Sequence, residues 1–327
     1  GGGFPGGGFS GGGFPGGGFS GGGFPGGGFS GGFPGGGGGF QFPGGGAGGF
    51  GGQQQQPAQE LFPKRTSGVS KLGSLKFPDA KTSKNAWLIV FYTNDDQDCI
   101  DAKPVVDKLV SKAGTYGYKI GGIDCGKNEV EKKFCRKLLG KNLQEVPVFG
   151  LMTCQSQKLD IFDVQLQITA KGLHTFASEK LQKLPLVQNV NHPSQLPERL
   201  LNVIGTKRNL PCVDSTILTK GGIVLLTDKY ETSGLYMGLA HQFRNEFAFG
   251  ESRGSNIAMA KEFGVKKYPL LIAFVPKGNG ETSYNDNLDV SRFDVASAGG
   301  DKRAAIAKWI EDLIKSIRAS KRSQRTA

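Results

Sequence analysis

Two thiols separated by two residues occur nowhere in this sequence. The five cysteines, Cys99, Cys125, Cys135, Cys154 and Cys212, form no C-x-x-C pair, so a zinc ribbon and a ferredoxin-like cluster are both excluded as readings. Histidine is scarce as well. His174, His192 and His241 stand in separate segments without ligand spacing, so no metal is expected. Glycine and lysine meet in GKNEVEKK and KGNGET, but not in the G-x-x-x-x-G-K-[ST] frame, and no nucleotide or other cofactor is expected. No stretch is apolar for the ~20 residues a membrane span requires.

The N-terminal part lacks charge altogether. Residues 1–52 carry no Asp, Glu, Lys or Arg and hold 32 of the 54 glycines. The decad GGGFPGGGFS runs three times, then degrades through GGFPGGGGGF and QFPGGGAGGF into QQQQ. Glycine at that density makes ordering costly, and isolated Phe residues build no core. Residues 1–60 are therefore expected to be a disordered Gly/Phe arm. The chain opens inside this repeat without a Met, which suggests a piece of a longer or processed protein.

The formal charge of +12 thus falls on the remainder, part of it in a basic tail, 319–327, approached by Lys315 and Arg318 and holding Lys321, Arg322 and Arg325. Elsewhere Lys and Glu are interspersed, the pattern of a solvated surface, which argues against dedicated nucleic-acid binding.

Residues 61–83 read as a polar linker with Pro63 and Pro78. The pattern then changes abruptly. NAWLIVFYT is a continuous apolar run of strand length, as in a central strand buried on both faces. AKPVVDKLVSKAG places Val105, Val106, Leu109 and Val110 at helical spacing. YKIGGIDC is a second strand, EVEKKFCRKLLG a second helix, EVPVFGLMTC a third strand and KLDIFDVQL a fourth. TAKGLHTFASEKLQKL closes the unit as a helix. The cadence then repeats: GGIVLLTD, GLYMGLAHQFRN, EFAFGES, NIAMAKEFG and YPLLIAFVP alternate strand and helix, and DKRAAIAKWIEDLIKSIRA closes with an apolar stripe. Alternation of this kind predicts α/β domains with partly parallel sheets, spanning 84–185 and 186–318.

WLIVFY, the turn before Cys99, Lys103-Pro104, YKIGGIDC, KKFCRKL and VPVFGL together resemble a thioredoxin-fold domain of the protein-disulfide-isomerase type. The resemblance covers roughly 84–318. It implies two tandem thioredoxin-like domains, each a mixed sheet flanked by helices. Pro104 matches the proline that kinks the active-site helix. Val146-Pro147 and, in the second unit, Tyr268-Pro269 match the cis-proline that faces the cysteines. The Gly/Phe arm resembles the segment after the J domain in DnaJ-type co-chaperones, and an upstream J domain is one expectation. None lies in this chain, since His192-Pro193 is followed by Ser194 rather than Asp.

Against that family the exchange site is degenerate. FYTNDDQDC puts Asp96 where the attacking cysteine belongs and Cys99 at the buried, resolving position. Asp96 forms no disulfide, while Asp95, Asp98 and Asp101 disfavour a thiolate at Cys99. Val90 occupies the place of the family's proton-transferring acid. Asp95 or Asp96 then serves as a helix N-cap, and Cys99 as a small core residue. The resemblance further implies a structural disulfide between Cys125 and Cys135, the alternative being two free buried thiols. Cys154 and Cys212 have no obvious partners in the sequence, and His241 is expected to be partly exposed. The second unit's corresponding loop, TDKYETSGLY, has neither Cys nor His.

The functional expectation is a module without exchange chemistry, in which Tyr92, Thr93, Asn94, Val146, Pro147 and Val148 form a groove for an extended polypeptide. Its expected partners are unfolded or extended clients and another chaperone, in the endoplasmic reticulum or secretory pathway, with a cytoplasmic setting as the alternative. Two other readings stand beside it: a weak isomerase working through the lone Cys99, and a scaffold that self-associates through the Gly/Phe repeat.

Overall fold

A computed structural model describes residues 60–140, 146–163, 165–277 and 288–325. The Gly/Phe arm, up to residue 59, lies outside them. Two five-stranded mixed sheets make up the described chain. In the first, β1 (Ser70–Lys71), β2 (Ala86–Tyr92), β3 (Tyr118–Asp124), β4 (Val148–Met152) and β5 (Asp160–Ile161) stand in the order β1-β3-β2-β4-β5. β2 runs parallel to β3 and antiparallel to β4. The helices are α1 (Gln97–Val110), the short α2 (Ala113–Tyr116), α3 (Glu129–Leu139) and α4 (Ala170–Gln182).

The second sheet repeats this plan strand for strand. β6 (Val187–Asn189), β7 (Gly221–Leu226), β8 (Phe247–Ser252), β9 (Leu270–Pro276) and β10 (Leu288–Asp294) stand in the order β6-β8-β7-β9-β10. β7 is parallel to β8 and antiparallel to β9. α5 (Gly234–Gln242), α6 (Ile257–Glu262) and α7 (Lys302–Arg325) flank it. Both sheets have the thioredoxin-like arrangement, and cis peptides at Val146–Pro147 and Tyr268–Pro269 precede β4 and β9 at equivalent places.

The apolar runs explain the layering. Along β2, Leu88, Val90 and Tyr92 join one cluster while Ile89 and Phe91 join another, the period-2 alternation of a strand covered on both sides. β7 does the same, with Ile223 and Leu225 against Val224 and Leu226. The inward faces of both sheets feed a single cluster, which also takes Val106 and Leu109 from α1, Leu173 and Leu181 from α4, Met237 and Leu239 from α5, and Ile306 and Ile310 from α7. The two halves therefore share one core.

Two segments differ from the sequence reading. The span 61–83, read as a linker, contributes the edge strand β1, and Leu61, Phe62 and Val69 are buried. Burying two large apolar side chains favours folding this short segment onto the sheet edge. The basic tail from Ala319 to Arg325 continues α7, because Ala, Lys, Arg and Gln are good helix formers and nothing between breaks the helix. Among the described residues no helix is long and apolar enough to cross a membrane.

Candidate functional site

The loop from Thr93 to Asp96 joins the centre of the first sheet to α1. Asp96 is the N-cap, and its carboxylate accepts the Cys99 N–H at 3.0 Å, satisfying one of the otherwise orphaned donors of the first turn. That geometry turns Cys99 inward. It is 1 % exposed and packs in the shared cluster with Val90, Tyr92 and Val106. Burial pushes its thiol up to about 12, with the hydrogen bond and charge of Asp96 and the charge of Asp98 adding to the rise and a Thr93 backbone contact opposing it. Cys99 is the one unpaired cysteine. Val90, at the place where the resemblance expects an acid, is an apolar member of the same cluster.

Asn94 is held from two sides. Its amide oxygen accepts the Leu61 N–H at 2.8 Å and its amide nitrogen donates to Asp124 at 2.6 Å. Asp124 is raised from its ordinary range, chiefly by burial. Phe62 meets Tyr92 edge-to-face at 4.9 Å between centroids, and burial raises the Tyr92 hydroxyl strongly. The residues ahead of β1 thus brace the loop.

The groove residues are distributed over distinct surfaces. Val146 and Pro147 meet Asp98, Asp101, Val105 and Ile168 around a groove of about 430 Å³. Val146 also borders a depression of about 950 Å³ with Thr93, Asp95, Lys132 and Arg136 on the other side of the loop. Tyr92 and Val148 are buried in the sheet. Asn94 faces a third hollow, with Leu61 and Lys103. Side-chain surface at the cis-proline therefore comes from Val146, Thr93 and α1, because Tyr92 and Val148 lie within the strands and turn their side chains into packed layers.

Cys125 and Cys135 form a disulfide with a Cα–Cα distance of 5.9 Å. A second disulfide joins Cys154 to Cys212, which the sequence had left without partners. It crosses from the end of β4 to the segment ahead of β7. Beside it lies a polar cluster that sequence reasoning missed. His241 is fully buried rather than partly exposed. Its Nε2 accepts the Cys154 N–H at 3.1 Å, while Nδ1 lies 3.2 Å from the Lys84 carbonyl oxygen. With Nε2 accepting, Nδ1 carries the proton and donates to Lys84. Burial, reinforced by the Arg244 charge, lowers His241 to about 4. Arg244 is 3 % exposed and donates to the carbonyls of Lys81 (2.6 Å), Ser83 (2.9 Å) and Cys212 (2.6 Å). One signal was available: α5, GLYMGLAHQ, is apolar on every side, the mark of a helix enclosed by protein.

In the second half the loop after β7 exposes Tyr230 and ends at Ser233, the N-cap of α5. Glu251, fully buried on β8, accepts from Thr232 Oγ1 at 2.6 Å and from Arg253 Nε at 2.8 Å. Among the described residues no cluster of three or more His, Cys, Asp or Glu is arranged to hold a metal.

Fold and site together define a tandem of thioredoxin-like domains in which the loop-to-helix junction of the first holds one enclosed thiol. No family model matches the chain. A Dictyostelium discoideum protein named "Putative protein disulfide-isomerase" is 26% identical over 200 residues, 61% of this chain and 44% of that protein. The chain thus spans less than half the length of this curated relative. Among solved structures, the crystal structure of ERdj5 form II has a TM-score of 0.40 at 14% identity, over 77% of this chain and 31% of that one. The zinc-bound form of human ERp44 has a TM-score of 0.30 at 11% identity, over 75% of this chain and 61% of that one.

Proposed function

We propose that this chain is a non-catalytic thioredoxin-fold module that binds extended polypeptide and assists protein folding in the secretory pathway. The observation that carries the reading is the pairing of an enclosed, partnerless Cys99 behind the Asp96 cap with an open groove at Pro147. Exchange needs an exposed thiolate and a second thiol to resolve the mixed disulfide, and the site supplies neither. The surface that accepts an extended strand in this fold remains beside it. Asp98 and Asp101 on its rim favour clients with basic residues.

The two disulfides support an oxidising compartment, and the protein-disulfide-isomerase name of the curated relative accords with it. In this reading the halves 84–185 and 186–318 act as one client-facing body with residues 1–60 as its tether. Weak isomerase activity through Cys99 has less support, because the sulfur is buried.

The test uses the full chain. Titration with an extended basic peptide should shift the backbone resonances of Val146 and its neighbours, while insulin reduction stays at the uncatalysed rate. Unmoved resonances, or turnover of insulin, would overturn the proposal.

A further inference from the structure

The second half contains a basic hollow away from the exchange-site loop. It lies between the edge strand β6, β8 and the segment 203–210, and encloses about 250 Å³. Arg199, Lys207, Arg208, Gln188 and Asn209 supply its polar lining, and no Asp or Glu borders it. Arg208 is 8 % exposed. Its Nη2 donates to the carbonyls of Arg244 and Phe247, and its buried Nε has no partner. Among the described residues Arg199 donates to the Asn189 carbonyl alone. Among the described residues none of these three cations forms an ion pair.

A buried guanidinium without a counter-charge is costly, and proteins ordinarily pair it with a carboxylate. Here burial alone lowers Arg208 to about 10. The carbonyls it binds supply dipoles but no negative charge. The missing charge has a place to sit, since the hollow's 250 Å³ far exceeds the ~10–15 Å³ that one water-sized guest needs. Arg199 and Lys207 at the rim add donors suited to oxygen ligands.

We propose that this hollow is an oxyanion-binding site, taking a compact phosphate-like ion or the terminal carboxylate of a polypeptide. The ligand oxygens would take hydrogen bonds from Arg199, Lys207 and Asn209, with the Arg208 charge behind them. The site is independent of the peptide groove at Pro147 and stands whether or not that groove binds clients.

Calorimetric titration of the full chain with sodium phosphate, chloride keeping ionic strength constant, provides the test. A short peptide with a free terminal carboxylate and the same peptide as its amide form the second arm. Saturable phosphate binding, or binding of the free acid and not of the amide, supports the site and identifies its source. Because Arg208 is structural, the variant is Arg199→Gln with Lys207→Ala, and the exposed Lys207→Ala alone serves if the pair folds poorly. Affinity should fall about ten-fold for each charge-assisted contact removed, hence about ten-fold for Lys207→Ala and about a hundred-fold for the pair. No saturable heat from any probe, or unchanged affinity in a folded variant, would overturn the assignment.

Discussion

Cys99 offers the sharpest test, because its reactivity is determined by two quantities read from its surroundings. The perturbation is a brief pulse of iodoacetamide at neutral pH on the native chain, with the urea-unfolded chain as reference. Burial, followed by Asp96 and Asp98, lifts the thiol from its ordinary 9.0 to about 12. Only the thiolate attacks, so this shift leaves about a thousand-fold less of the reactive form. Enclosure of the sulfur slows access further. Mass spectrometry of the Cys99 peptide gives both rates cleanly, since the four remaining cysteines are in disulfides. Native alkylation at least about a thousand-fold slower than in urea is expected. Asp96→Asn keeps an N-cap acceptor while removing its charge. Because burial is the leading cause, that variant should gain less than about ten-fold. A native rate within about ten-fold of the unfolded one would refute the argument, and with it the claim that the site cannot exchange.

Three further outcomes follow from the same geometry. Asp96→Cys creates C-Q-D-C at the start of α1 and should yield a reducible Cys99 linkage in a non-reducing peptide map, with insulin reduction still slow because Val90 supplies no acid; absence of the linkage would refute the placement of Asp96. Replacing both Cys154 and Cys212 by Ala opens a cross-link of separation 58 and should cost about 4 kcal/mol in urea unfolding, an effect below about 1 kcal/mol contradicting its structural role. His241 stays neutral down to about 4 while the unfolded chain protonates near 6.5, so stability should be intact above 6.5 and fall by about 3 kcal/mol as pH drops towards 4; a His241→Gln variant that keeps the wild-type acid slope would remove this residue as the cause.

The central strands were legible because burial on both faces writes itself locally: WLIVFY and GGIVLL contain no polar residue to interrupt the run. The junction of β2 with α1 and the cis bond ahead of β4 followed from the order of a strand, Cys99, Pro104 and Pro147. The edges were harder. β1 is two residues long and β6 three, too short for any alternation to appear. The link between Cys154 and Cys212 carries no spacing signal, since it bridges two sheets rather than one turn. His241 and Arg244 are polar letters on a helix, and a single domain would place them at its surface. The second half's packing against Lys81–Asn85 and Cys154 makes them interior. Of the residues read as groove-forming, Tyr92 and Val148 turn into packed layers, because adjacent residues of a strand point to opposite layers.

The buried Arg244 has a consequence for anyone dividing this molecule. Its guanidinium lies in one half and caps main-chain oxygens of the other, while His241 closes the same seam. A cut at residue 185 would hand one fragment bare carbonyls and the other an unmatched cation. The smallest piece that deserves to be expressed is therefore the pair, and biochemical results from either half alone would describe a wounded surface.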